Sequence, residues 1–206
     1  METASQYGIE QYVQQAFAQP GTFLEIGCWD GELLSQTAFL ERELGWHGFC
    51  VDPFPRNFCG RSCTVIPRAI SGDGKPRHFI KVSIDRRHGG DVSYFSGFKE
   101  TLDTYWKTIQ AFCEYEELEI ETISFEDICR QYALPEHVNF LSVDTEGSEL
   151  EIFQGIDFSV HSFGMIVFEH NQDHVVKESI GSILAAAGYE PYAELLIDSV
   201  FVRSPS

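Results

Sequence analysis

Apolar residues at Ile9, Tyr12, Val13, Ala16 and Phe17 recur at helical spacing, and Pro20-Gly21 ends that run. Thr22 to Ile26 is a short apolar strand closed at once by a glycine turn. Leu33, Thr37, Leu40 and Leu44 predict the next amphipathic helix, and Gly48 to Val51 and Thr64 to Ile66 the next two strands. From Ile70 to Phe98 the pattern weakens, with one further strand expected over His78 to Ile84 and a polar, Gly-containing loop from Asp85 to Gly97. Leu102, Tyr105, Trp106, Ile109 and Phe112 mark a helix, and Ile120 to Ile123 is extended. Ser124 with Asp127 is a helix-start signature ahead of Ile128 and Tyr132. Val138 to Val143 and Met165 to Phe168 read as buried strands, with a helix over Glu146 to Phe153 between them and Gly155 as its stop. Val176, Ile180, Ile183, Leu184 and Ala187 form a helical face capped by Gly188. Tyr189 to Ala193 and Val200 to Arg203 are two final short strands.

Strands alternating with helices predict βαβ units, a mostly parallel sheet and helices on both faces. The last two strands have no helix between them and should pair as an antiparallel hairpin. The 206 residues suit one domain spanning 1–206, with the N-terminal helix inside 1–20.

Hydrophobic residues make up 43% of the chain, enough to bury a core, and no run approaches the ~20 apolar residues of a membrane helix. Residues 1–15 are polar, without a basic start and apolar run, so no secretory leader is expected. Lys and Arg total 14 against 32 Asp and Glu, a formal charge of −18. That balance argues against a nucleic-acid partner, whose phosphates demand a basic footprint; the triplet Arg86-Arg87-His88 reads as a solvated loop. Cys28, Cys50 and Cys129 lie in apolar stretches, as buried thiols do. Cys59 and Cys63 have no second pair to complete a zinc site. Six reduced thiols point to a cytoplasmic protein.

Chemistry concentrates at strand ends. Glu25-Ile26-Gly27-Cys28-Trp29-Asp30-Gly31 is a strand–glycine-turn unit, in which Gly27 and Gly31 permit close backbone approach. It lacks G-x-G-x-x-G, and its acids Glu25 and Asp30 suit a ligand with an ammonium group and no phosphate; as an alternative, they cap the following helix. Asp52, 27 residues after Glu25, stands where a carboxylate accepts both ribose hydroxyls of an adenosine ligand. NAD stays open at this point. Asp144 and Glu146 follow the buried strand 138–143, and Glu169-His170 the strand 165–168, so Asp144, Glu169 and His170 should cluster at one sheet edge. Helix-dipole acids remain the alternative for Glu149 and Glu146.

These blocks resemble the FkbM-type methyltransferase family. The resemblance rests on Glu25-Ile26-Gly27 with Asp30-Gly31, Val51-Asp52-Pro53 with Asn57-Phe58, and Arg68-Ala69-Ile70-Ser71. Above all it rests on Phe140 to Glu149, with its Asp144-Thr145-Glu146-Gly147-Ser148-Glu149 run, and on Phe168-Glu169-His170. It implies a Rossmann-like class I methyltransferase fold and S-adenosylmethionine-dependent O-methylation of a sugar, glycan or natural-product hydroxyl. It places Glu25, Gly27, Asp30, Gly31 and Asp52 around the cofactor, with Ile70 and Ser71 near its adenine. Cys28-Trp29 is bulkier than that turn usually holds, and Ser142 stands where the family often has lysine. Residues 86–108 carry little family signal, and 85–115 reads as an insertion on the acceptor side. Asp144, Glu146 and His170 are the catalytic expectations, with His170 as general base near working pH. Asp144, Glu169 and His170 are the candidate ligands of a divalent cation such as Mg²⁺ that would lower a hydroxyl's pKa, weighed against a metal-free site in which Asp144 contacts the cofactor and His170 is structural. The competing readings are a non-catalytic binding domain on the same fold and an NAD-dependent oxidoreductase.

Overall fold

The computed structural model of the protein describes residues 5–204; residues 1–4 of the expected N-terminal segment and 205–206 lie outside the described residues. In chain order its main elements are α1 (Ile9–Ala16), β1 (Thr22–Ile26), α2 (Ala38–Leu44), β2 (His47–Val51), β3 (Thr64–Ile66), β4 (Ala69–Ile70), β5 (Arg77–Asp85) and β6 (Gly97–Phe98). There follow α3 (Asp103–Phe112), β7 (Cys113–Ile120), β8 (Thr122–Ile123), α4 (Phe125–Tyr132), β9 (His137–Val143), α5 (Glu149–Gly155), β10 (Ser162–Glu169), α6 (His174–Ala186), β11 (Tyr189–Glu194) and β12 (Asp198–Arg203).

Seven strands form the principal sheet in the order β11-β12-β10-β9-β1-β2-β3. From β3 to β10 neighbours are parallel. β12 runs antiparallel to both β10 and β11, which is the expected terminal hairpin. Strand alternation sends side chains to two faces. Leu24, Ile26, Leu141, Val143, Ile166 and Phe168 pack with residues of α4, α5 and α6. Phe23, Phe140, Met165 and Val167 pack with Ile9, Val13 and Leu40 of α1 and α2. Chain order reverses at β1, which lies between β2 and β9, so the crevice beyond the carboxyl ends of these strands is where a ligand enters an open α/β sheet.

Residues 77–120 supply a second, three-stranded antiparallel sheet, β6-β5-β7, with α3 on one face. On its other face Phe79 and Phe98 pack with Ala69 and Phe54. Arg86 donates to the carbonyls of Gln110 and Ala111 near the end of α3, and Arg87 pairs with Asp85, so the two arginines of this exposed triplet are used structurally.

Three local expectations are corrected. The helix expected from Leu33 begins only at Ala38, because the Glu25 carboxylate draws in Ser35 Oγ, Gln36 N and Thr37 Oγ1 and holds the preceding segment as a loop. The helix expected from Glu146 begins at Glu149, because Glu146 (φ 59°) and Gly147 (φ 112°) are left-handed, and Gly155 is its last residue rather than its stop. Only Ile120, the last residue of β7, falls in the extended run expected over Ile120 to Ile123; the glutamates before it disguise a strand. Pairing with β5 sets Glu116 opposite Lys81, and Lys99 Nζ lies 2.8 Å from Glu117, so basic partners offset the acids. Among the described residues no helix is long and apolar enough to cross a membrane.

Candidate active site

A cavity of about 1010 Å³ opens at the carboxyl ends of β1, β2, β9 and β10 and is roofed by residues of the second sheet and its loops. Of the sequence-predicted residues, Glu25, Gly27, Asp52, Ile70, Asp144, Glu146 and Glu169 line it.

At the turn after β1, Gly27 is demanded by geometry. Its φ is +84°, and a Cβ there would lie 1.6 Å from the Asp144 carbonyl oxygen. The ends of β1, β2 and β9 are laced by Gly27 N to Val51 O (2.8 Å) and Asp144 N to Ile26 O (2.9 Å). Glu25, 2% exposed, accepts from Ser35 Oγ, Gln36 N, Thr37 Oγ1 and Cys50 Sγ. Three of these donors meet Oε2 and only Gln36 N meets Oε1, so Glu25 shapes the loop while Oε1 keeps acceptor capacity at the cavity wall. Asp30 Oδ1 accepts from Glu32 N and Leu33 N, a turn cap outside the cavity lining. Gly31, also left-handed, packs on Phe58 and offers its carbonyl to Arg61. Ser71 Oγ is buried against Thr122 Oγ1 at 2.6 Å and accepts from Gly74 N, so it supports β4 and β8 behind Ile70.

Asp52 is positioned for a ligand. Oδ2 accepts from Trp29 N (2.9 Å) and Oδ1 from Phe54 N (2.7 Å), which fixes the carboxylate and leaves each oxygen further acceptor capacity toward the cavity. Burial pushes its pKa up to about 6, against these N–H bonds and Arg56, which favour the charged form.

Across the crevice lies a group of acids. Asp144, Glu149 and Glu169 each bring an oxygen within 4.8 Å of the others. Burial raises the pKa of Asp144, Glu146, Glu149 and Glu169; repulsion by neighbouring acids raises it further at Asp144, Glu146 and Glu169, whereas N–H and O–H donors oppose the rise at Glu149. Of the pair Asp144 and Glu169, Glu169 is raised the more, by burial and then by the charge of Asp144, so it is the one that holds a proton. Glu149 Oε1 also gathers Thr145 N, Thr145 Oγ1 and Gly147 N, fixing the loop that carries Glu146. Glu169 accepts from Asn171 Nδ2 (2.7 Å), whose Oδ1 in turn accepts from Tyr105 OH (3.0 Å) on α3. The second sheet is thereby tied to the acid group.

His170 stands apart. Its Nδ1 accepts from Gln172 N, its Nε2 lies 3.4 Å from Glu194, and it is not among the residues lining the cavity. Burial lowers its pKa, opposed by Glu194. Of the three residues expected to hold a cation, Asp144 and Glu169 come together, and Glu149 occupies the place expected of His170.

Sequence reasoning missed several residues. Trp29 and Asn171 line the cavity with positive φ, as the expected Glu146 does, which marks strain held at a functional site. Asp198, 3% exposed with Oδ2 unpartnered among the described residues, is pushed up to about 7 by burial and by Glu194. Arg61, its side chain fully buried, reaches Glu41, Ser35, Thr37 and the Gly31 carbonyl, tying α2 to the glycine turn. A lone Arg between Cys59 and Cys63 was the only sequence signal of it.

The sequence profile of the methyltransferase FkbM domain matches residues 20–191. The chain belongs to this methyltransferase family, and the matched span contains every cavity residue named above. A comparison with curated proteins finds no match.

Proposed function

We propose that the protein transfers a methyl group from S-adenosylmethionine to a hydroxyl of a sugar, glycan or small natural product. The observation that carries this reading is Asp52: a carboxylate fixed by two backbone N–H groups at the end of β2, with free acceptor positions facing a cavity, suits a ribose diol. The cofactor, when bound, supplies an activated methyl on its sulfonium, so the protein's task is alignment and removal of one proton. Ile70 and Phe54 offer an apolar wall beside Asp52 for adenine, and the close-packed Gly27 turn leads toward Asp144.

The acceptor's proton passes to the carboxylate pair Asp144–Glu169, whose raised pKa values bring proton uptake toward neutral pH. Glu146 and Tyr105 flank the same space, and His170 acts on the packing of the β10 end rather than on the proton. A divalent cation would be held by Asp144, Glu149 and Glu169 and would lower the hydroxyl's pKa directly. Without it, the pair acts as general base and takes the hydroxyl's proton as the methyl transfers. Trp29, Tyr94, Phe95 and Tyr105 in the cavity lining, with its acids, fit the apolar face and hydroxyls of a small polyol, and the −18 charge opposes a nucleic-acid partner. The free thiols fit a reducing, cytoplasmic setting.

The test is incubation with methyl-labelled S-adenosylmethionine and a panel of glycosides, polyols and natural-product alcohols. Label in a base-stable ether product supports the reading. Binding of NAD in preference to S-adenosylmethionine, or cofactor binding without transfer to any hydroxyl, overturns it.

A further inference from the structure

The four acids at the ends of β9 and β10 are unbalanced. Among the described residues no Lys, Arg or His forms an ion pair with Asp144, Glu146, Glu149 or Glu169. The cations that line the cavity are engaged elsewhere. Arg56 bonds Asp91 and Ser93 and lies over Trp29, Arg68 donates to the Pro67 carbonyl, and Lys81 sits 4.5 Å from the Phe54 ring centre.

Glu146 is the exposed edge of that imbalance. Its Oε2 is shut off from solvent without a hydrogen-bond partner among the described residues, although the residue lines the cavity. The backbone there is left-handed, so the fold bears strain to present this side chain. A buried unpaired carboxylate is costly, and a positive guest would relieve it.

The opposite wall is aromatic. Trp29, Tyr94, Phe95 and Tyr105 form a chain of ring contacts, with centroids 5.4, 4.4 and 5.3 Å apart, and all four line the cavity. Glu146 lines the same cavity as these rings, and after burial its charge is the largest influence raising the phenol pKa of both Tyr94 and Tyr105. A carboxylate facing aromatic rings is the chemistry that recognises an alkylammonium: N–H groups to oxygen, C–H groups and positive charge to the rings. A hard metal ion would gain nothing from the rings.

We propose that the acceptor carries a protonated amine, seated between Glu146 and the Tyr94–Tyr105 wall, beside the hydroxyl that is methylated. This rests on reading the cavity as a methyltransferase acceptor site. The experiment is calorimetric titration of the full chain, saturated with S-adenosylhomocysteine, with a 2-amino-2-deoxyhexoside, its N-acetyl derivative and the parent hexoside. At least tenfold tighter binding of the amine is expected. That preference should vanish in E146Q and weaken in Y94L, each shown folded by its thermal melt. Equal binding of the three sugars, or an amine preference that survives E146Q, overturns the proposal. Mn²⁺ binding that excludes the amine overturns it in favour of a metal site. If wild type fails to bind S-adenosylhomocysteine, the cofactor reading falls, and the amine preference is read from the same titration without it.

Discussion

Lowering the pH from 7 to 5 should weaken cofactor binding about tenfold through Asp52 alone. The ribose diol needs two acceptors, so the ionised carboxylate binds and the protonated one does not. Burial sets its pKa at about 6 in the free protein. Above that value affinity is flat; below it, each pH unit costs a factor of ten, or about 1.4 kcal/mol. At pH 5 only about one molecule in ten is ionised, which gives the tenfold figure. Asp52→Ala should lose ~1.5–3 kcal/mol of affinity at pH 7, the range for a charged hydrogen-bond partner, and lose the pH dependence with it. The assay is isothermal titration with S-adenosylhomocysteine at half-unit intervals from pH 5 to 8, repeated in buffers of different ionisation enthalpy to count protons released. A flat wild-type profile refutes the reasoning. So does an unchanged slope in Asp52→Ala, which would assign the titration to the acid group across the crevice.

Gly27→Ala should abolish folding or cost at least ~3 kcal/mol in urea unfolding, because the new Cβ meets the Asp144 carbonyl at 1.6 Å; a melt within a few degrees of wild type would contradict this. Asp198→Asn tests the linkage sign for a carboxyl whose pKa is raised to about 7. Between pH 4 and 7 the folded chain keeps a proton that the unfolded chain has released, so wild-type stability falls as pH rises. From pH 5 to 8, wild type should lose on the order of 3 kcal/mol more than the variant, and parallel profiles would dismiss the effect. Asp144→Asn should lower kcat by ~10²–10⁴-fold, whereas His170→Ala should stay within a few-fold of wild type. Turnover should survive exhaustive EDTA, and activity regained only on adding Mg²⁺ would replace the carboxylate pair with a metal.

The sheet was legible because its strands announce themselves locally. Thr22–Ile26 and Thr64–Ile66 lie where their apolar runs place them, and Asp52 stands at the end of one such run. Glu25 was legible as a site residue but not in its role, since its donors lie ten to twelve residues on, in a segment whose leucines mimic a helix. His170 and Glu169 share one motif, yet in the structure Glu169 lines the cavity while His170 turns to Gln172 and Glu194. Glu149 looked like a helix-end acid and is one, yet the same carboxylate completes the acid group because the loop before it coils left-handed. Asp198, Arg61 and the aromatic wall depend on contacts between distant segments, and nothing in their local pattern distinguishes them from ordinary polar and core residues.

The central claim is that this crevice holds S-adenosylmethionine with its methyl facing the acid group. A crystal structure of the complex with S-adenosylhomocysteine tests it most directly. The account predicts the ribose hydroxyls on Asp52, the adenine beside Ile70, and the sulfur on the Asp144–Glu146 side of the Gly27 turn. A ribose away from Asp52, or a sulfur facing away from Asp144, would contradict it.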